Sequence, residues 1–81
     1  MLVPLYGFLE GDTLGLVLLV SDSQTIRELA ACMQQASAPR VPPRDEVQVF
    51  FNGQQLALDD TVAATGLEAL DRVDIRVGGQ P

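Results

Sequence analysis

Two apolar runs open the chain and are separated by a short polar segment. Residues 2–9 (LVPLYGFL) and 13–20 (TLGLVLLV) are rich in branched and aromatic side chains, which favour β-strands. Between them, Glu10-Gly11-Asp12 can reverse the chain because glycine readily adopts a positive φ. Neighbouring strands joined by so short a turn pair as a hairpin. The sequence therefore predicts a β-hairpin over residues 2–20.

A helical period follows the polar break at residues 21–24. Thr25 and Glu28 have the T-x-x-E spacing of a capping box, in which each side chain accepts a hydrogen bond from the other residue's amide. The apolar residues after this cap recur at helical spacing: Ile26, Leu29, Ala30, Met33 and Ala36. This stripe predicts an amphipathic helix of about three turns. Prolines at positions 39, 42 and 43 forbid its continuation.

Alternation of apolar and polar residues returns in the second half of the chain. Residues 47–52 (VQVFFN) predict a third strand. The Asn52-Gly53 pair is a strong signal for a tight hairpin turn, so residues 55–58 are predicted as a short returning strand.

The last third of the chain supplies a connector and a final strand. Residues 59–67 (DDTVAATGL) predict a one-turn helix that ends at Gly66, and residues 72–77 (RVDIRV) alternate as a strand does. One amphipathic helix can bury its stripe only against one face of the sheet. We therefore predict a single α+β domain over residues 1–81. Its fold would be a β-grasp, a mixed sheet of four to five strands packed on one helix, with the first and last strands parallel at the centre.

The charge pattern excludes several classes of function. Eleven acidic residues against five arginines give a net charge of −6, and lysine and histidine are absent. The arginines are scattered, whereas nucleic-acid binding requires clustered cations. Histidine is the commonest metal ligand and general base near neutral pH, and a structural zinc site needs four Cys or His ligands. We predict no nucleic-acid partner, no metal or cofactor in this chain and no catalytic residues.

The apolar runs and the cysteine content predict a soluble, cytoplasmic protein without membrane contact. The longest apolar run, residues 14–20, holds seven residues, whereas a membrane-spanning helix needs about 20. No Lys or Arg precedes the first apolar stretch, as it would in a signal peptide. Cys32 is the one cysteine, so no internal disulfide can form, which fits a reducing compartment. Cys32 is predicted to be a buried or half-buried structural residue.

The predicted sheet has one face that the helix leaves uncovered. The residues predicted to face the helix are Leu16, Leu18, Val20, Val49, Phe51, Val73 and Ile75. The opposite face then carries Val17, Leu19 and Phe50, which Tyr6 or Phe8 could join. So many large apolar groups on one exposed surface indicate a protein interface. The corresponding test is Phe50→Asp, which is predicted to release a partner and leave the domain folded.

A second candidate interface is the proline-rich loop after the helix. Arg40 and Arg44 flank its two adjacent prolines. Their planar guanidinium groups could bind carboxylates of a partner. A solvated connector is the alternative interpretation of this loop.

Landmarks along nearly the whole chain resemble ubiquitin-like proteins. They are Thr25-Ile26, residues 41–43 (VPP), residues 51–56 (FNGQQL), Asp60-Thr61-Val62 and residues 71–77 (DRVDIRV). The resemblance rests on their common order and spacing, and it implies the ubiquitin-like form of the β-grasp.

Three stretches resemble a narrower family, the gamma (B) subunits of toluene and related alkene monooxygenase hydroxylases. They are residues 4–12 (PLYGFLEGD), 40–44 (RVPPR) and 61–75 (TVAATGLEALDRVDI). The resemblance implies a bacterial multicomponent diiron enzyme that oxygenates aromatic or alkene hydrocarbons. This chain would be its peripheral, non-catalytic subunit, docked on the large subunit in a hetero-oligomer. The diiron cofactor would then lie in the partner, because Glu-x-x-His pairs on facing helices cannot be built from one helix without histidine.

Two other functions remain open. One is a free-standing bacterial ubiquitin-like adaptor, similar to the small proteins associated with type VII secretion, which share the proline-arginine loop. The other is a covalent modifier or sulfur carrier that uses Gly78-Gly79. However, Gln80-Pro81 follows the diglycine, and no flexible arm separates it from Val77. The resemblance at residues 4–12 favours the monooxygenase subunit.

Overall fold

Residues 1–77 are described by a computed structural model, in which they form five strands and two helices. In chain order the elements are β1 (Leu2–Leu9), β2 (Gly15–Ser21), α1 (Ile26–Ser37), β3 (Val47–Phe51), β4 (Gln54–Leu56), α2 (Val62–Thr65) and β5 (Arg72–Val77). The strands form one sheet in the order β2-β1-β5-β3-β4. In it β1 and β5 are parallel, and every other neighbouring pair is antiparallel. The predicted α+β β-grasp is confirmed, whereas Gly78-Gly79 lies outside the described residues.

The predicted caps and turns occur where local chemistry requires them. The Thr25 Oγ1 accepts a hydrogen bond from the Glu28 amide at 3.1 Å, and Glu28 Oε1 accepts one from the Thr25 amide at 2.9 Å. Asn52 and Gly53 both have positive φ, 53° and 76°, as the tight hairpin turn between β3 and β4 demands. Gly66 ends α2 with a φ of 78°.

Two strand limits differ from the prediction. The strand β2 begins at Gly15 and not at Thr13, because the Asp12 side chain accepts a hydrogen bond from the Leu14 amide at 3.1 Å and keeps this segment in the turn. The strand β4 covers Gln54–Leu56 and stops short of the predicted Leu58. Leu58 instead turns away from β3, since its carbonyl accepts a hydrogen bond from the Arg27 amide at 2.9 Å.

The helix α1 buries its stripe against the sheet. The wholly or almost wholly buried core residues of these elements are Leu5, Leu9, Val20, Ile26, Leu29, Ala30, Met33, Val49, Val73 and Ile75. Leu16, Leu18 and Phe51 pack against this core while remaining partly accessible. Every residue predicted to face the helix is therefore on that side of the sheet. At Gly7 the helix lies close to the sheet, since a Cβ atom there would stand 2.8 Å from the Met33 sulfur.

The end of α1 departs from the predicted stripe. Ala36 is exposed, whereas Gln34 and Ser37 are buried. The reason is the proline loop, which folds back along this end of the helix. The Gln34 side chain accepts a hydrogen bond from the Arg44 amide at 2.7 Å and donates one to the Arg44 carbonyl at 2.9 Å. The prediction that Cys32 is buried or half-buried was wrong, because Cys32 lies on the exposed side of the helix.

Candidate docking surface

The sheet face opposite α1 is divided into two halves of different chemistry. One half, formed by β1 and β2, consists of Leu2, Pro4, Tyr6, Val17 and Leu19, and we call it the apolar half. The strand register places Tyr6 opposite Val17 and Pro4 opposite Leu19. Leu19 is 67% exposed, Leu2 64%, Val17 54% and Tyr6 43%. Four large apolar side chains thus share one exposed surface.

The other half of this face, the stacked half, consists of Phe8, Phe50, Arg72, Asp74 and Arg76. The Arg72 guanidinium carbon lies 4.1 Å from the centroid of the Phe8 ring, and that of Arg76 lies 5.0 Å from the centroid of Phe50. These distances are those of cation–π contacts. Arg72 also pairs with Asp74 at 2.9 Å. Both aromatic rings are therefore half-buried beneath charged side chains of β5.

The Phe8 ring lies over Gly15 at the edge of the sheet. Phe8 and Gly15 are cross-strand partners, and a Cβ atom at Gly15 would stand 2.5 Å from the ring. Only a residue without a side chain leaves space for the ring to lie flat on β2. The glycine and Arg72 together explain why Phe8 is less exposed than Tyr6, although both belong to the same face.

The sequence-predicted interface residues are distributed over both halves. Val17, Leu19 and Tyr6 meet in the apolar half, whereas Phe8 and Phe50 belong to the stacked half. Sequence reasoning missed Leu2, although it shares the alternation of Tyr6 along β1. It also missed that Arg72 and Arg76 alternate on β5 and reach the two phenylalanine rings. Phe50→Asp is consequently expected to cost stability of the domain as well as to alter its surface.

Arg40, predicted to offer its guanidinium to a partner, uses it within the chain. Its Nη2 lies 2.9 Å from Asp12 Oδ2, and its Nε donates to both Asp12 oxygens at 3.0 and 3.1 Å. The Asp12 side chain is only 1% accessible beneath this group. The Arg40–Asp12 ion pair connects the β1–β2 turn to the proline loop. In the isolated chain, the Arg40 side chain is therefore held in an internal ion pair. The prediction that Arg40 offers its guanidinium group to a partner needs correction.

The Arg40–Asp12 pair shifts the ionisation of both partners. The hydrogen bond from Arg40 lowers the pKa of the Asp12 carboxyl from 3.8 to about 2, with help from the Leu14 amide. The same hydrogen bond raises the pKa of Arg40. The nearby Ser37 hydroxyl also lowers the pKa of Asp12, although this buried hydroxyl makes no hydrogen bond of standard geometry within residues 1–77.

Arg44 lies on a different side of the proline loop. Its backbone is held by Gln34, and its side chain is exposed. It borders an open cleft of about 550 Å³ between α1 and the β3–β4 hairpin, whose walls include Arg27, Gln34, Glu46 and Gln55. Seven of the ten residues that line this cleft are polar or charged. A partner role for Arg44 stays a prediction.

The residues of this chain do not fit a diiron centre. The sequence has no histidine, and among the described residues no three Cys, Asp or Glu side chains converge on a point. Within residues 1–77, no helix has both the length and the apolar character needed to cross a membrane. The two halves of the outer face, and not a pocket, are thus the candidate functional feature.

Comparisons with known proteins agree with this fold. No curated protein sequence matches the chain. A chain from the structure of the toluene 4-monooxygenase HD complex with the inhibitor 4-bromobenzoate superposes with a TM-score of 0.88 at 21% identity, covering 96% of this chain and 100% of that one. Ubiquitin of Caldiarchaeum subterraneum gives 0.79 at 16% identity, with coverage of 99% and 98%. A ubiquitin-like domain of Arabidopsis thaliana gives 0.74 at 12% identity, with coverage of 91% and 74%.

At these identities the structural matches establish the ubiquitin-like fold. The family is given by a sequence model that covers residues 2–77, nearly the whole chain, and is described as toluene-4-monooxygenase system protein B (TmoB). The protein belongs to the TmoB family.

Proposed function

We propose that this protein is the small, non-catalytic subunit of a bacterial diiron hydrocarbon monooxygenase hydroxylase. In this role it docks on the larger, iron-containing subunit through the apolar half of its sheet. Membership of the TmoB family and the similarity to a chain of a toluene 4-monooxygenase complex support a place in such an assembly. The observation that carries the docking role is the cluster of Leu2, Tyr6, Val17 and Leu19, each more than two-fifths exposed on one face.

The chemistry of the chain supports a role without catalysis. Histidine, the commonest general base near neutral pH, is absent from the sequence. A diiron ligand set needs histidine together with converging carboxylates, and no such cluster is present among residues 1–77. Asp12 has a strongly shifted pKa, but its guanidinium partner covers it. Such a pair is structural, since a catalytic carboxylate must reach a substrate. Oxygen and hydrocarbon chemistry is accordingly assigned to the partner.

The apolar half has the composition of an interface core. Central contacts in protein complexes are enriched in aromatic residues and depleted of charge. Tyr6 would supply the aromatic anchor, and its hydroxyl would seek a polar partner in the complex. The stacked half would lie towards the rim, where exposed charges such as Arg72 and Asp74 cost little to leave near water.

A matched pair of charge substitutions tests the proposal. Leu19→Asp should weaken binding to the larger hydroxylase subunit by about a hundredfold or more, because it places an unpaired charge in a buried contact. Leu14→Asp is the control, since Leu14 is 49% exposed but lies in the β1–β2 turn. Titration calorimetry with the purified larger subunit measures both affinities. Urea denaturation checks that each variant remains folded. Equal affinities for Leu19→Asp and the unmodified chain would place the interface elsewhere.

A further inference from the structure

The two edge strands of the sheet are protected to very different degrees. At one edge, β4 has three residues, two of them glutamine. At the other edge, β2 has seven residues (GLVLLVS) and no charged residue or proline. Soluble proteins usually block an exposed edge with charges, proline or a short strand, because unpaired backbone groups recruit other strands. The edge at β2 has none of these devices.

The register shows which backbone groups of β2 point outward. The Asp22 amide donates to the Met1 carbonyl at 2.9 Å, so these two residues form a hydrogen-bonded pair just beyond the end of β2. Hydrogen-bonded and non-hydrogen-bonded pairs alternate along an antiparallel ladder. Val20, Leu18 and Leu16 therefore bond to β1, and the N–H and C=O of Val17 and Leu19 point away from the sheet.

The hydrogen bonds of β1 agree with this assignment. The Tyr6 amide donates to the Asp71 carbonyl at 2.9 Å, and the Pro4 carbonyl accepts from the Leu70 amide at 2.6 Å. The backbone groups of Tyr6 and Pro4 thus face β5, and they cannot bond to their opposite residues, Val17 and Leu19.

The open edge is limited to the segment from Gly15 to Leu19. Beyond it, the Ser21 amide donates to the Gln24 side chain at 2.8 Å, and the Ser21 carbonyl accepts from the Gln24 amide at 3.0 Å. The turn therefore satisfies the backbone of Ser21. What remains is an unprotected edge about five residues long.

The side chains along this edge specify the kind of occupant. Residues 16–20 are all apolar. Val17 and Leu19 are exposed on the outer face, and Leu16 and Leu18 are still partly accessible on the helix side. An added strand would bond to the outward backbone groups and cover apolar side chains on both faces. A second copy of this chain is a poor occupant, because each copy carries a net charge of −6.

We infer that the larger hydroxylase subunit supplies an extended segment that pairs with β2 as a sixth strand of the sheet. The segment has apolar residues at alternate positions and is neutral or basic overall. The inference rests on the proposed function and specifies how the docking occurs. Main-chain hydrogen bonds give affinity in such strand addition, and alternate side chains give specificity.

Amide hydrogen exchange of the full chain, alone and bound to the larger subunit, tests this directly. In the free chain, the Leu16, Leu18 and Val20 amides should exchange slowly and those of Val17 and Leu19 quickly. Complex formation should slow the Val17 and Leu19 amides by about tenfold or more. A complex in which these two amides still exchange as in the free chain overturns the inference but leaves the proposed function intact. Absence of any complex overturns both.

A proline substitution separates backbone pairing from side-chain burial. Leu19→Pro removes an outward amide and retains an apolar side chain, and the edge position tolerates a ring that donates no hydrogen bond. Leu19→Ala, the control, retains the amide and loses most of the side chain. With strand addition, Leu19→Pro should bind at least about fivefold more weakly than Leu19→Ala. Equal or tighter binding of Leu19→Pro indicates docking by the face alone and overturns the inference. If Leu19→Pro does not fold, the exchange rates in the unmodified chain decide.

The dependence of amide exchange and sedimentation on protein concentration distinguishes the larger subunit from a second copy of this chain as the occupant of the edge. If the Val17 and Leu19 amides become protected when the chain alone is concentrated, and it sediments as a dimer, the edge pairs with itself. That result overturns the assignment to the larger subunit. A chain that stays monomeric with exchanging edge amides supports it.

Discussion

The apolar half and the stacked half of the outer face arise from the same alternation but have different neighbours. In the stacked half, the residues beside Phe8 and Phe50 belong to β5, whose outward positions are Arg72, Asp74 and Arg76. In the apolar half, the neighbours of Tyr6 and Pro4 on β2 are Val17 and Leu19. Arg72 of β5 also lies opposite Tyr6, but its guanidinium stacks on Phe8 and leaves Tyr6 43% exposed. An aromatic residue on an exposed sheet face is thus an anchor for a partner only where no cross-strand cation already covers it.

The two halves also differ in whether their residues contribute to the stability of the folded chain or to binding. In the stacked half, ring and guanidinium contacts are satisfied within the chain, so these residues should contribute mainly to the free energy of unfolding. In the apolar half, Leu19 is 67% exposed and contributes little to the folded chain alone. Its contribution is expected to arise in the complex. Substitutions in the stacked half should therefore change mainly the free energy of unfolding, and substitutions in the apolar half should change mainly the affinity for the larger subunit.

The largest expected effect comes from truncating one residue in each half. Phe50→Ala removes a half-buried ring and its contact with Arg76, and it should lower the free energy of unfolding by about 2 kcal/mol. Leu19→Ala should change that free energy by less than about 0.5 kcal/mol and weaken binding to the larger subunit by about tenfold. Urea denaturation measures the first quantity and titration calorimetry the second. If both changes act equally on both quantities, the division of the face into two roles is wrong.

A smaller effect is expected where the two halves meet on β2. Gly15→Ala puts a methyl group where the Phe8 ring lies, so the ring must move and its contact with Arg72 is lost. We expect a loss of about 1–2 kcal/mol in the free energy of unfolding. In a Phe8→Leu background the same change should cost less, because the smaller side chain can move aside. The double-mutant cycle measures this coupling, and additive effects would show that the ring does not lie over Gly15.

Most of the fold followed from sequence because its signals are local. The Thr25 capping box, the Asn52-Gly53 turn and the alternation of residues 72–77 each specify a conformation by themselves. The end of α1 was missed because it depends on a distant segment: Gln34 is buried only where it binds the backbone of Arg44. Its polar side chain gave no sign of this in the sequence.

The candidate surface could be predicted only in part, for the same reason. Period-two alternation predicted Val17, Leu19 and Phe50 on one face, with Tyr6 or Phe8 as possible additions, without knowledge of the fold. Whether a residue there is covered depends on register, which pairs Phe8 with Gly15 and brings Arg72 alongside. The engagement of Arg40 by Asp12, 28 residues away, likewise required the coordinates.

The smallest expected effect at neutral pH concerns the exposed Arg72–Asp74 ion pair of the stacked half, which contrasts with the covered Arg40–Asp12 pair nearby. Phe8, Asp12, Arg72 and Asp74 line one open cleft. The Arg72–Asp74 pair is exposed, with 63% and 41% of the side chains accessible, so Asp74→Asn should change stability by less than about 0.5 kcal/mol. In the Arg40–Asp12 pair, by contrast, the carboxylate is covered and has a pKa of about 2.

The sign of the acid effect follows from this lowered pKa. Since folding lowers the pKa of Asp12 from 3.8, its ionised form stabilises the folded chain fully above pH 4, and this contribution is lost as the pH falls through 2. The free energy of unfolding should therefore fall more steeply between pH 4 and pH 2 in the unmodified chain than in Asp12→Asn. Urea denaturation at several pH values measures both chains. An unchanged slope in Asp12→Asn would mean that the acid sensitivity arises from other carboxylates and that Arg40 does not hold the turn.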